Sequence, residues 1–439
     1  MGHEIGHEMG DTDMPRLTRR EFVKAMGAAA ASGLAGLPLS SRAGSNGRVV
    51  VVGGGYAGAT VAKYLRLADP TIQVTLVERN PEFISCALSN EVLSGVRTME
   101  SLTFDYQALA NNRGVRVVHD EAIAIDPVKH TVETKDGQIL DYDRLIVAPG
   151  ISLRWGAIEG YDRAAAEVMP HAWKAGAQTL LLKRQLREMK DGGTVMMVAP
   201  PNPFRCPPGP YERAAQIAYY LSQRKPKSKI IIFDAKDRFS KQALFQQGWE
   251  EHYPGMITWI PASEDGKVFR VDPKKRMLFT EFDEHTGDVV NVIPPQQAGT
   301  IAHPAGLTDE SGWCPVDQRT FESTIHRDIH VIGDASIAGA MPKSGYAANS
   351  QGKVCAAAVA ALLNENPPPE ASFVNTCYSL ISPDHGISVA AVYRVVDGKI
   401  TSVKGAGGVS PKDASEWEHR MEADYARSWF TNITSDIFT

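Results

Sequence analysis

Cysteine is scarce in this sequence: Cys86, Cys206, Cys314, Cys355 and Cys377 are the five in 439 residues, an odd number too small for a disulfide scaffold. No C-x-x-C pair occurs, which argues against a thioredoxin-reductase-type dithiol, and no C-x-x-C-H occurs to hold a haem. An excess of one charge is also missing. Forty-six basic against 51 acidic residues leave a formal charge of -5, which offers no general electrostatic footprint for nucleic acid. Beyond the N-terminal region no run approaches the ~18 continuous apolar residues of a membrane-spanning helix, so no transmembrane segment is expected. His171, His303 and His385 lack ligand spacing, and no metal is expected. His3-Glu4-Ile5-Gly6-His7 matches H-E-x-x-H but has no apolar helical context, so it does not read as a zinc site.

What is present begins with an address. Thr18-Arg19-Arg20-Glu21-Phe22-Val23-Lys24 precedes an Ala- and Gly-rich run from Ala25 to Leu39, the pattern of a twin-arginine export signal. Small residues before Gly44 offer a cleavage site, so residues 1–43 are expected to be removed and the mature protein to be soluble and periplasmic. Apolar residues at 43% and charged residues at 22% describe an ordinary globular chain. Its length allows two or three domains.

From Arg48 the chain reads strand (Val49–Val52), turn, helix (Ala59–Leu67), strand (Gln73–Val77). The turn holds Gly53-Gly54-Gly55-Tyr56-Ala57-Gly58, a G-x-G-x-x-G, and Glu78 follows at about the twenty-residue spacing of a ribose-binding acid. Gly53 and Gly55 would let a pyrophosphate approach the helix N-terminus, where free N–H groups and the helix dipole favour an anion. Leu145-Ile146-Val147-Ala148-Pro149-Gly150 and Ile329-His330-Val331-Ile332-Gly333-Asp334 are apolar strands ending in turns. In this order the three segments resemble the cofactor motifs of the pyridine nucleotide-disulfide oxidoreductase superfamily, which implies FAD in the first site with Asp334 as a ligand.

A second strand-helix-strand unit runs through Thr194–Ala199, Tyr211–Leu221 and Lys229–Phe233, followed by Asp234. Its turn, Pro200 to Pro210, is filled with prolines, which remove the N–H donors that a second pyrophosphate would need. The nicotinamide site is therefore expected to be lost. The fold class expected is α/β, with two Rossmann-like dinucleotide-binding domains and a C-terminal α+β domain. The FAD domain takes residues 44–158 and 299–365 and the second domain 159–298. After the joint at Asn366-Pro367-Pro368-Pro369, residues 366–439 read as a separate domain with strands at Ile387–Val396 and Ile400–Val403 and a last helix containing Trp429.

Four stretches sharpen the resemblance: Phe83 to Asn90, Phe204 to Glu212, Met341 to Tyr346 and Asn375 to Ser379. They look like signature segments of the flavoprotein subunit of flavocytochrome c sulfide dehydrogenase, and the similarity runs from about Arg48 to the C-terminus. It implies FAD bonded covalently through Cys86, a redox-active disulfide between Cys206 and Cys377, and Trp429 packed near the ring. It also implies cofactor contacts at Gly53, Gly55, Ala57, Gly58, Glu78, Arg79, Ala122, Ala148, Gly150, Asp334, Lys343, Gly345 and Tyr346. Cys314 is the other candidate partner for Cys206, and Cys355 in an Ala-rich helix reads as core. Glu212 is either a proton acceptor beside the disulfide or a first-turn acid offsetting a helix dipole.

The reading that follows is a sulfide-oxidising enzyme. Hydrosulfide opens the disulfide to a persulfide and a thiolate, and the electrons leave through the flavin to the haem of a separate c-type cytochrome subunit. A sulfide:quinone oxidoreductase is the nearest rival, and it usually needs an apolar C-terminal face to reach membrane quinone. A type II NADH dehydrogenase is disfavoured by the proline turn, and a non-catalytic flavin-binding partner is the reading from outside enzymes.

Overall fold

The computed structural model describes residues 47–439. The expected export signal and the H-E-x-x-H stretch lie outside the described residues. Four valines form β1 (Arg48–Val52), which is buried from Val49 onward as a central parallel strand requires. It pairs with β2 (Gln73–Val77), Val52 opposite Val77, and α1 (Tyr56–Ala68) makes the crossover. The helix starts at Tyr56 rather than at the expected Ala59. Gly58 explains this: a Cβ there would lie 1.8 Å from the Gly53 carbonyl oxygen, so it serves as a helical residue pressed onto the turn. Gly53 itself has φ +99° and sits against the carbonyl of Ala148, a conformation and an approach that only glycine allows.

β3 (Arg116–Val118) extends the sheet beyond β2, and β4 (Arg144–Val147) flanks β1. The chain then builds a second parallel sheet from β5 (Thr194–Ala199), β6 (Lys229–Asp234), β7 (Ile257–Ile260) and β8 (Val289–Val292), in the order β7-β6-β5-β8. Helix α2 (Gly209–Arg224) connects β5 to β6 and α3 (Gln242–His252) connects β6 to β7. β9 (Ile329–Val331) returns to the first sheet, completing the order β9-β4-β1-β2-β3. Next comes α4 (Gly345–Leu363), whose small residues let it lie close on α1: a Cβ at Gly352 would meet the Ala57 carbonyl at 2.9 Å.

The C-terminal segment forms an antiparallel sheet, β10 (Ser372–Ser382), β11 (His385–Val396) and β12 (Lys399–Val409), and the helix α5 (Glu416–Phe438). Ser415 and Glu418 make a reciprocal capping box that fixes where α5 begins. The expected separation of this segment is not what the structure shows. Phe373, Ile433, Ile437 and Phe438 belong to the core of the first domain, and Ile381 and Ile387 to that of the second. Three strands and one helix cannot cover their own apolar faces, so they close over both domains, and the described residues are one compact unit. Among the described residues no helix is long and apolar enough to cross a membrane.

Candidate functional site

The carboxyl ends of β1, β4 and β9, the proline turn after β5 and the middle of β10 meet around a cavity of about 610 Å³, the place where open α/β sheets take ligands. Gly53, Gly55, Ala57, Glu78, Arg79, Ala122, Ala148, Gly150, Asp334, Gly345, Tyr346 and Trp429 all line it, together with Cys86, Cys206, Cys377 and Glu212. Two expected residues do not. Gly58 is spent on packing, as above. Lys343 turns away: its ammonium donates to the carbonyls of Asp334 at 2.7 Å and Ser336 at 3.0 Å and lies 3.8 Å from the centre of the Trp313 ring. It braces the Gly333-Asp334 turn from behind.

The residues present fit FAD. Asp334 Oδ1 is buried without a hydrogen-bond partner, and so are the indole nitrogens of Trp173 and Trp429, all three on residues that line the cavity. Such groups are costly unless a ligand satisfies them. Burial pushes the Asp334 carboxyl up, and Arg205 and Lys343 offset part of that. Glu78 accepts from Gly54 N at 2.7 Å with one oxygen and from Asn80 with the other, which holds it at the end of β2 facing the cavity. Helix α4 starts here too, its Ser344 cap accepting from Ala347 N at 3.1 Å, so the Gly345 and Tyr346 end of a long helix faces the same space.

The sulfurs arrive from three elements. Cys86 follows the hairpin strand Glu82–Ile84; its sulfur accepts from Ala175 N at 3.5 Å and its thiol donates to Trp173 O at 3.7 Å. Cys206 stands in the proline turn with φ +57°, its N–H donating to Lys343 O at 2.7 Å. That left-handed backbone is strained for a cysteine and points to a site that the surroundings hold in place. Gly209, with no Cβ, lets the Cys206 sulfur lie against the first turn of α2. Cys377 is at the centre of β10, with the Asn375 amide donating to its sulfur at 3.4 Å. All five cysteines are free thiols in the structure, so the Cys206–Cys377 bridge is not formed in it. Cys314, the other candidate, is fully buried in the first core and Cys355 lies inside α4; neither lines the cavity.

Glu212, in the first turn of α2, accepts from Asn90 Nδ2 at 2.8 Å and from Leu380 N at 3.0 Å. It therefore ties α2 to β10 while facing the cavity, and burial raises its carboxyl above the ordinary range. Arg213 anchors the adjoining 171–173 segment through His171 O at 2.9 Å and Ala172 O at 2.6 Å. Trp173, Lys174 and Arg205 were not expected at this site. Arg205 adjoins Cys206 in the sequence, where it could have been noticed, whereas Trp173 and Lys174 lie in an irregular segment with no motif.

In the second sheet the corresponding acid is held by the protein's own side chains. Asp234, at the end of β6 where a ribose-binding acid would stand, accepts from Tyr211 OH at 2.5 Å, Trp259 Nε1 at 3.0 Å and Lys236 Nζ at 2.6 Å. Tyr211 stacks on Phe239 at 3.6 Å, with Phe245 beside both. Away from the cavity, Glu251, His252 and His385 converge, as do Asp265, Asp283 and His285. His385, without ligand spacing in the sequence, meets His252 through folding, and the two imidazoles share a hydrogen bond of 2.8 Å.

Comparison with known proteins agrees with this geometry. Residues 47–186 match the pyridine nucleotide-disulphide oxidoreductase family. Residues 179–294 match the central part of the sulfide dehydrogenase (flavocytochrome c) flavoprotein chain, and residues 369–438 match its flavin-binding part. The chain is 28% identical over 303 residues to the sulfide-quinone reductase of Aquifex aeolicus, covering 65% of this chain and 67% of that relative. It is 23% identical over 314 residues to the mitochondrial sulfide:quinone oxidoreductase of Mus musculus, covering 66% and 65%, so it spans about two thirds of the length of these relatives. The solved sulfide:quinone oxidoreductase of Aquifex aeolicus has the same fold, with a TM-score of 0.71 at 17% identity over 89% of this chain and 92% of that one. The sulfide dehydrogenase flavoprotein chain of Chlorobaculum thiosulfatiphilum is 62% identical over 45 residues, 10% of this chain and 94% of that relative. That match, with the two matched segments from the same kind of chain, places this protein in the family of flavoprotein chains of flavocytochrome c sulfide dehydrogenase.

Proposed function

We propose that this chain oxidises hydrosulfide through a Cys206–Cys377 redox pair, holds FAD covalently through Cys86, and passes the electrons to a c-type cytochrome subunit in the periplasm after twin-arginine export. One observation carries the reading: Cys206 and Cys377, brought from the proline turn and from β10, line one cavity with Cys86, Glu78 and Asp334. Asp334, Glu78 and the first turns of α1 and α4 would hold the FAD, and Cys86 would anchor it. When bound, the flavin supplies a two-electron acceptor that can discharge one electron at a time. The chain's own part is to admit a small anion and to exchange sulfur. Hydrosulfide attacks one sulfur of the bridge, leaving that cysteine as a persulfide and the other as a thiolate, with charge conserved. Glu212, raised by burial, is placed to exchange a proton beside the pair. The test is sulfide-dependent cytochrome c reduction by the purified protein with its cytochrome subunit. Activity lost in both Cys206→Ser and Cys377→Ser, with flavin retained, supports the pair; full activity in either refutes it.

The relatives named for quinone favour a second reading, with quinone as acceptor. Against it stands the use of the last helix: Phe430, Ile433, Ile437 and Phe438 of α5 face inward and are buried, so this face is spent on the protein's own core. Reduction of a short-chain quinone faster than of cytochrome c would decide for that reading.

A further inference from the structure

Lys241 is the N-cap of α3 and takes a left-handed backbone, φ 60° and ψ 27°, a conformation that costs a lysine energy and persists where its surroundings hold it. Its side chain runs inward. The ammonium donates to Cys377 O at 2.9 Å, Ser379 Oγ at 2.8 Å and Ile387 O at 3.3 Å, so its three donors are spent on β10 and β11. Burial draws the ammonium down to about 8, while Cys377, Glu212, Cys206 and Glu422 all favour its charged form. None of the chemistry proposed so far uses this cation.

The reaction gives it a use. Opening the bridge with hydrosulfide brings one negative charge into a buried site that already holds Glu212, and that charge ends on sulfur. On the Cys206 side, burial and Glu212 oppose an anionic sulfur, and Arg205 and Lys241 offset only part of that. Arg205, the other nearby cation, is directed to Trp173 O and is shared among Cys86, Asp334 and Cys206. Lys241 stands on the Cys377 side.

We propose that Lys241 is a positioning residue for the sulfur pair. Its hydrogen bonds hold the Cys377 strand, and its charge stabilises the anionic sulfur formed at Cys377 when hydrosulfide opens the bridge by attack on the Cys206 sulfur. The inference rests on the redox-pair reading above.

The test is the pH dependence of iodoacetamide labelling in the reduced holoprotein, read at each cysteine by peptide mapping. In the unaltered protein Cys377 should label at lower pH than Cys206; the reverse order overturns the proposal whatever the variants do. Lys241→Gln keeps an amide donor but loses the charge. Removing an opposite charge from beside a sulfur disfavours its anionic form, so the Cys377 labelling curve should move to higher pH, with less labelling at neutral pH. Lys241→Arg should restore it, with kcat for sulfide falling and recovering in step. A Gln curve that overlays the unaltered one, or an Arg variant that behaves like Gln, refutes the role. Non-reducing peptide mapping of the oxidised protein reads the bridge separately. An absent bridge sinks the redox-pair reading and this inference with it, while a bridge with unmoved labelling sinks only Lys241.

Discussion

Replacing Cys377 or Cys314 by serine should separate activity from stability in opposite directions. Serine cannot join a sulfur bridge, so if Cys206 pairs with Cys377, Cys377→Ser loses nearly all sulfide-dependent cytochrome reduction, as much as the double variant with Cys206→Ser, because the two act as one unit. Its cost in stability should be small. Cys377 is half-buried, and the Asn375 amide 3.4 Å from its sulfur is available to a hydroxyl, so about 1 kcal/mol or less is expected. Cys314 is the reverse. It is fully buried in the first core with Trp313, Val316 and Phe321, and a hydroxyl placed there without a partner costs about 1–3 kcal/mol. Cys314→Ser should therefore melt earlier at equal flavin loading and still turn over sulfide. The assays are cytochrome reduction with sulfide and thermal melting. A Cys314→Ser protein that melts normally but is inactive, beside an active Cys377→Ser protein, would show that Cys206 takes the other partner.

Acid precipitation should leave the flavin on the protein and release it from Cys86→Ser; yellow supernatant from the unaltered protein refutes the covalent bond. NADH should not bleach the flavin at a rate comparable to sulfide, and Tyr211→Phe should not create that activity. The same variant should lose about 1.5–3 kcal/mol through the broken bond to the Asp234 carboxylate, read from its melting midpoint. His171 and His385 are each drawn down to about 3, mainly by burial, so below pH 6.5 the unfolded chain binds protons that the folded one does not. Their contribution is thus complete above pH 6.5 and is lost as pH falls toward 3, at up to about 1.4 kcal/mol per pH unit for each. A melting midpoint that holds constant from pH 7 to 4 contradicts this.

The first dinucleotide domain was legible because its chemistry is local. A valine strand, a turn that needs Gly53 and a helix carrying Gly58 lie within a dozen or so residues, and Glu78 follows at a distance set by the length of one crossover. That the second turn is poor in N–H donors was legible, since prolines lack them wherever they sit. That Asp234 is spent on Tyr211, Trp259 and Lys236 was not, because those residues lie on separate elements.

The sequence by itself determined the order of chemistry along the chain: a glycine turn, the Cys86 segment, a proline-framed cysteine, a Gly-Asp turn. It also determined the family, through the short segments around those residues. Only the tertiary structure decided which sulfur shares a cavity with Cys206, because Cys314 and Cys377 are both remote from it in sequence and differ in where folding puts them, the first inside a core and the second on the cavity wall. It decided that Lys343 braces a turn from behind, that the last helix packs on the first domain while β10 and β11 also reach the second, and that Lys241 reaches the Cys377 carbonyl. Each of these depends on apolar faces from distant segments closing together, which sets side-chain direction after local preference has been satisfied.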